Sequence, residues 1–206
     1  MKMKKEELLA QVTKVLSPCE KCRLFRTRIK VVPGEGDPES GIMFIGQCPG
    51  ANEDKQGRPF VGRAGGLLDE LLVLIGLQRE KVFITNIVKC RPPENRDPMV
   101  DEVRACSPYL ERQIKSVNPK LIITLGRFAS EFFIPDGKIS KIHGVPHRVK
   151  GRLIFPLYHP AAALRSGGVA KALRTDFRKI PGVLAGELEV TEIIKTKVSK
   201  DQIALI

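Results

Sequence analysis

The chain has 206 residues, 42% of them apolar, which is enough for one packed core and too short for two domains of ordinary size. No run of about 18 apolar residues occurs, so the sequence offers no membrane-spanning segment. Lys and Arg number 35 against 23 Asp and Glu, a net charge of +12 that favours polyanionic partners, nucleic acid being the commonest inside cells.

The opening stretch MKMKKEELLAQVTKVL breaks its apolar residues with charges every few positions. It predicts an amphipathic helix rather than a secretory signal, hence an intracellular address and reduced cysteines. Four apolar, β-branched runs then follow turn-rich stretches, at 42–46, 82–88, 121–126 and 153–158. Helical spacing links Leu67, Leu68, Leu71, Leu72 and Ile75. It also links Val100, Val103, Leu110, Ile114 and Val117, after a start signal at Asp97 and Pro98. Strands alternating with helices of this length predict a three-layer α/β/α sandwich with a central, mostly parallel four-stranded sheet, the whole chain forming one domain. Ligands bind such sheets beyond the carboxyl ends of the strands, here at 46–50, 86–91, 126–127 and 158–164. The tail, 186–206, receives no role beyond a weak partner-binding pattern at 202–206.

Five cysteines occur. Cys19 and Cys22 form a C-x-x-C behind Ser17 and Pro18, Cys90 follows a predicted strand in KCRPP, and Cys106 precedes Ser107 and Pro108. Ser can cap a new helix and Pro can occupy its first position, so each of these four cysteines is expected at an element boundary. There, free backbone N–H groups can bond sulfur. Three readings stay open on spacing alone: an iron–sulfur cluster, whose four corners tolerate irregular spacing; a zinc site, which usually shows two close ligand pairs; or unrelated thiols. Cys48 stands apart in a Gly-bounded loop and reads as a small buried apolar residue.

Four strings carry the rest of the chemistry: GQCPGANED at 46–54, GRPFVGRAG at 57–65, TNIVKCRPP at 85–93 and YHPAAALR at 158–165. Any one is weak. In this order, with Cys19-x-x-Cys22 and the interleaved cysteines, they resemble the iron–sulfur uracil-DNA glycosylases of family 4 over roughly residues 19–180. The resemblance implies excision of uracil from DNA to leave an abasic site. It also implies a [4Fe–4S] cluster on Cys19, Cys22, Cys90 and Cys106 with a structural role, since hydrolysis moves no electron.

A glycosylase takes its base out of the stack and reads it by stacking and by its Watson–Crick edge. By the resemblance Phe60 stacks on uracil. Asn86 can accept from N3–H and donate to O4, a pattern that cytosine reverses. The Glu53 carboxylate approaches the C5 edge that distinguishes thymine. His159 donates to uracil O2, where negative charge gathers as the base departs. Gln47 and Cys48 complete the uracil site. His143 and His147 fall outside the strings and are expected in structural or surface roles. The Ala161–Arg165 segment resembles the loop that probes the duplex, with Leu164 or Arg165 filling the gap left by the flipped base. Arg91, Arg96, Arg127 and Arg174 are candidate phosphate contacts.

The departure lies in the first loop. Family 4 usually carries Glu-Ala or Glu-Gly where this chain has Gln47 and Cys48, and Gln is a poor general base. Gly-Gln-Asp-Pro stands there in family 1, so Gln suits the fold, yet the catalytic Asp of that family falls on Cys48. Two consequences stay open: Gln47 acts through its backbone N–H on uracil O2, with Glu53 the candidate for water activation, or activity is reduced or redirected. The expected partner is uracil-containing DNA, bound by a monomer, with a sliding-clamp contact through the tail as a minor expectation. The rivals are an iron–sulfur DNA-binding or redox-sensing protein without the hydrolytic step, and a zinc-stabilised RNA-binding module.

Overall fold

The computed structural model describes residues 3–193, so the tail pattern at 202–206 lies outside the described residues. The strands are β1 (Glu35–Gly36), β2 (Ile42–Gly46), β3 (Phe83–Asn86), β4 (Leu121–Leu125), β5 (His147–Val149), β6 (Arg152–Leu157) and β7 (Thr191–Ile193). The longer helices are α1 (Lys5–Leu16), α3 (Arg63–Leu74), α4 (Val100–Val117) and α8 (Gly167–Phe177). The shorter ones are α2 (Ala51–Gln56), α5 (Arg127–Phe133), α6 (Ile139–Ile142), α7 (Pro160–Ala163) and α9 (Ile180–Ala185).

The four predicted strands form the centre of the sheet, parallel throughout, in the order β3-β2-β4-β6. Three very short strands extend it: β1 antiparallel to β3, β5 antiparallel to β6, and β7 parallel to β5. None of the three is long enough to show alternation in the sequence. β7 gives part of the unassigned tail a place at the sheet edge.

Burial on both faces explains why the central runs are continuously apolar rather than alternating. Met43 and Ile45 of β2 join Ile122 and Ile154 in a core covered by α1 and α4. Ile42 and Phe44 of the same strand join Ile123, Phe155 and Leu157 under α3 and α8. The chain runs from β2 outward to β3, then crosses back to β4 on the other side of β2. That reversal opens a crevice at the carboxyl end of β2, where open α/β sheets bind ligands.

One local expectation is corrected. Cys106 does not precede a helix; it lies within α4, and Pro108 lies inside the same helix. Pro108 has no N–H to offer the carbonyl of Arg104, one turn back. The Ser107 hydroxyl donates to that carbonyl at 3.0 Å instead, so the helix continues through the proline. The apolar period running from Val103 to Val117 outweighs the local capping pattern.

Candidate active site

A cavity of about 390 Å³ opens at the carboxyl edge of the parallel strands, and its walls include Gln47, Cys48, Glu53, Phe60, Asn86, Asp97, His159 and Arg165. The structure thus brings together the six predicted pocket residues from three separate strand ends, together with Arg165. Asp97 is an addition: in the sequence it read only as a helix-start signal. Leu164 ends α7 with its side chain largely exposed, and it is absent from the cavity wall.

His159 caps α7, and its Nδ1 accepts the backbone N–H of Ala161 at 3.0 Å. An accepting Nδ1 carries no proton, so the neutral ring carries it on Nε2. Burial, and next the Arg165 charge, push the His159 pKa down to about 4. The ring is therefore a neutral hydrogen-bond donor at neutral pH. Gly126 permits this placement. Its φ is +91°, and a Cβ there would come within 2.9 Å of His159 Cβ.

The Phe60 ring stacks on His159 with centroids 5.6 Å apart and planes 25° from parallel. Its backbone holds φ of 50°, a left-handed conformation that a bulky residue adopts only when its surroundings impose it. Three features impose it here. Arg79 donates to the Phe60 carbonyl at 3.0 Å and also to the Pro59 carbonyl. Glu53 Oε1 accepts the N–H groups of Val61 and Gly62, both at 2.9 Å. Gly65 lies so close that a Cβ would run into the Phe60 carbonyl.

Asn86 ends β3, buried, with its amide on the cavity wall and no hydrogen-bond partner for that amide among the described residues. A Cβ on Gly46 would collide with Asn86 Oδ1 and with the Phe60 ring, so that glycine lets the ring and the amide converge. Behind Asn86 the fully buried Lys89 donates at 2.6 Å to each of Thr85 Oγ1, the Asn86 carbonyl and Gln113 Oε1. Burial lowers the Lys89 pKa to about 7. The sequence signal for this lysine is its place directly before the candidate ligand Cys90, at the end of an apolar run.

Glu53 is already engaged. Besides Val61 and Gly62 it accepts the Gly50 N–H at 3.1 Å, so its two oxygens join both ends of the loop that carries Phe60. Gln47 Nε2 donates to Asp97 Oδ1 at 2.7 Å. Burial first, then the Asp97 and Glu102 carboxylates, push the Cys48 thiol up to about 12, which leaves it a neutral wall atom.

The other four cysteines gather against one core: Cys90 and Cys106 are buried in it, and Cys19 and Cys22 pack on it. No three His, Cys, Asp or Glu side chains among the described residues converge at the spacing of a single bound ion. The sulfurs form a set on other grounds, because three receive donors. Tyr109 donates to Cys19 at 3.2 Å, Arg28 to Cys90 at 3.4 Å, and the Lys89 backbone N–H to Cys106 at 3.3 Å. Donors aimed at buried sulfur stabilise thiolate, the ligand form of cysteine. Burial raises the pKa of Cys22, that of Cys90 against the opposing Arg28 charge, and that of Cys106 to about 12 against Lys89. This donor set fits an iron–sulfur cluster.

The candidate phosphate arginines are all engaged within the protein. Arg96 forms a two-pronged pair with the buried Glu102 at 2.6 and 2.8 Å, a structural position. Arg91 donates to Asn95, Arg127 to Asp97 and Glu131, and Arg174 to Glu70. His143 bonds the buried Asp176 at 2.6 Å, and His147 is buried in β5.

Comparison with known proteins adds a family. The model of the "Uracil DNA glycosylase superfamily" matches residues 33–179. The chain is 48% identical over 182 residues to a "Type-4 uracil-DNA glycosylase" of Sulfurisphaera tokodaii, covering 84% of this chain and 83% of that one. It is 50% identical to a protein of the same name from Saccharolobus solfataricus, over 82% and 83% of the two chains. A third, from Archaeoglobus fulgidus, is 42% identical over 90% and 97%.

Proposed function

The chain belongs to the uracil-DNA glycosylase superfamily and is a DNA-repair glycosylase that excises uracil, and from that premise we propose how its residues divide the work. The flipped uracil lies on Phe60, and the Asn86 amide accepts from N3–H and donates to O4. His159 donates from Nε2 to O2. As the C1′–N1 bond breaks, its electron pair passes to the uracil ring and charge grows on O2, where the bond from His159 strengthens. Water attacks C1′, loses a proton to solvent and leaves an abasic site.

The single observation that carries this reading is the Ala161 N–H bond to His159 Nδ1, because it leaves Nε2 as the donor nitrogen of the ring. A histidine acting as a proton acceptor from substrate would need the opposite arrangement. Leu164, exposed beside the cavity rim, is the residue that enters the duplex gap, with Arg165 beside it. Glu53 is assigned to shaping the base site through the Phe60 loop rather than to activating water.

The cluster cysteines are Cys19, Cys22, Cys90 and Cys106, holding a [4Fe–4S] group. When bound, it supplies structural cross-linking of the segment around Cys19 and Cys22 to α4 and to the chain leaving β3. The donors from Tyr109, Arg28 and Lys89 support that set.

The test is alkaline strand cleavage of a labelled oligonucleotide holding one uracil, with wild-type protein and Asn86→Ala. Cleavage at uracil alone, lost in Asn86→Ala, is the expected result. Equal cleavage by both proteins overturns the assignment of Asn86.

A further inference from the structure

We propose that Asp97 is a positioning residue for the glycosidic step, acting through Gln47; this rests on the uracil-excision reading above. The first loop presents an amide at Gln47, and the structure places the Asp97 carboxylate against it. Asp97 comes from the loop before α4, distant in sequence from Gln47. Its Oδ1 accepts Gln47 Nε2 at 2.7 Å, and its Oδ2 accepts Arg127 Nη2 at 3.2 Å. Both Gln47 and Asp97 line the same cavity as Phe60, Asn86 and His159.

A primary amide has two orientations, with oxygen and nitrogen exchanged. Asp97 admits one of them, because an ionised carboxylate only accepts hydrogen bonds. The Gln47 NH2 must face it, so the amide oxygen takes the other side. That oxygen has no partner among the described residues. The Gln47 backbone is fixed as well, its carbonyl accepting Val88 N–H at 3.0 Å, and Arg127 steadies the carboxylate from its other oxygen. The result is a carbonyl dipole held with its negative end free, backed by a full negative charge.

Glycosidic cleavage needs this arrangement on the sugar side of the base. C1′ becomes positive as the C1′–N1 electron pair leaves with uracil. The free Gln47 oxygen then accepts a hydrogen bond from the attacking water, whose oxygen forms the new bond to C1′. The water proton passes to solvent, to which the exposed Asp97 is open. Gln47 takes no proton. Asp97 holds it in the one orientation that receives the water.

The experiment compares single-turnover uracil excision, with protein in excess, across pH 5–9 for wild type, Asp97→Asn, Gln47→Glu, the double variant and Asn86→Ala. Asp97→Asn supplies an NH2 that lets the Gln47 amide turn, and the rate falls about tenfold, the worth of one oriented charge-assisted hydrogen bond, with unchanged melting temperature and unchanged affinity for uncleavable uracil DNA. Gln47→Glu sets two carboxylates face to face so that they share a proton; its rate falls too, and its pH profile gains an inflection, with activity recovering toward acid. The double variant restores a donor–acceptor pair of reversed polarity and returns to within about threefold of wild type. An Asp97→Asn rate equal to wild type, or a double variant showing the product of both losses, overturns the proposal. If wild type leaves uracil intact, the glycosylase reading itself fails and this one falls with it. If Asn86→Ala is inactive while Asp97→Asn is not, Asp97 alone is refuted.

Discussion

Replacing Glu53 with Gln separates two accounts of this carboxylate. In the structure it accepts three backbone N–H bonds, from Gly50, Val61 and Gly62. The Glu53→Gln amide oxygen can keep the pair at Val61 and Gly62, but its NH2 then faces the Gly50 N–H, donor against donor. Losing one bond to a charged group and leaving a donor unpaired costs about 1–3 kcal/mol. At about 2–4 °C per kcal/mol for a domain of this size, the melting temperature drops by roughly 2–12 °C. The freed end of the loop also loosens Phe60, so KM for uracil DNA rises more than kcat falls. Thermal unfolding by circular dichroism and steady-state excision on one preparation read both effects. An unchanged melting temperature with kcat reduced by orders of magnitude would refute the reasoning, because it would mean that Glu53 acts directly on water.

Acid should weaken the fold through its histidines. His159 titrates near 4 when folded, against about 6.5 unfolded, so the unfolded chain binds more protons between those values. The stability is present above about pH 6.5 and is lost as pH falls toward 4, by up to about 3 kcal/mol. His147, lowered in the same direction by burial, adds to that loss; urea midpoints at pH 7 and pH 4.5 test it, and a higher midpoint at pH 4.5 contradicts it. Lys89→Met strands the acceptors at Thr85, Asn86 and Gln113 and costs several kcal/mol, with excision declining as Asn86 shifts; an unchanged denaturant midpoint argues against this. For the proposed cluster, removal of iron by oxidation and chelation is expected to lower the melting temperature while surviving folded molecules keep their specificity for uracil. Equal melting of loaded and stripped protein rules out a structural cluster.

The four central strands were legible because both faces of the sheet are buried, which makes each run continuously apolar. The edge strands were not, since Glu35–Gly36 and Thr191–Ile193 are too short to carry a period. The cavity residues on strand ends, Asn86 and His159, were visible through their strings. What their neighbours do was hidden, because those partners are close only in space. Asp97 meets Gln47, and Arg79 meets the Phe60 carbonyl, through the fold rather than through spacing along the chain. The start of a helix at Ser107 was misread for a related reason. A proline usually marks a helix's first turn, but the Ser107 hydroxyl replaces its missing bond inside α4.

The cap of α7 carries a consequence for anyone engineering this protein. An N-cap of Ser or Asp is the ordinary route to a firmer helix, and His is an unusual choice. Here the atom that closes the helix is also the atom that dictates where the imidazole proton sits. Any better cap installed at position 159 would discard the ring and with it the donor proposed for the departing base. Stabilising substitutions in this region must therefore be sought elsewhere, for instance on the exposed face of α8, which lies outside the cavity wall.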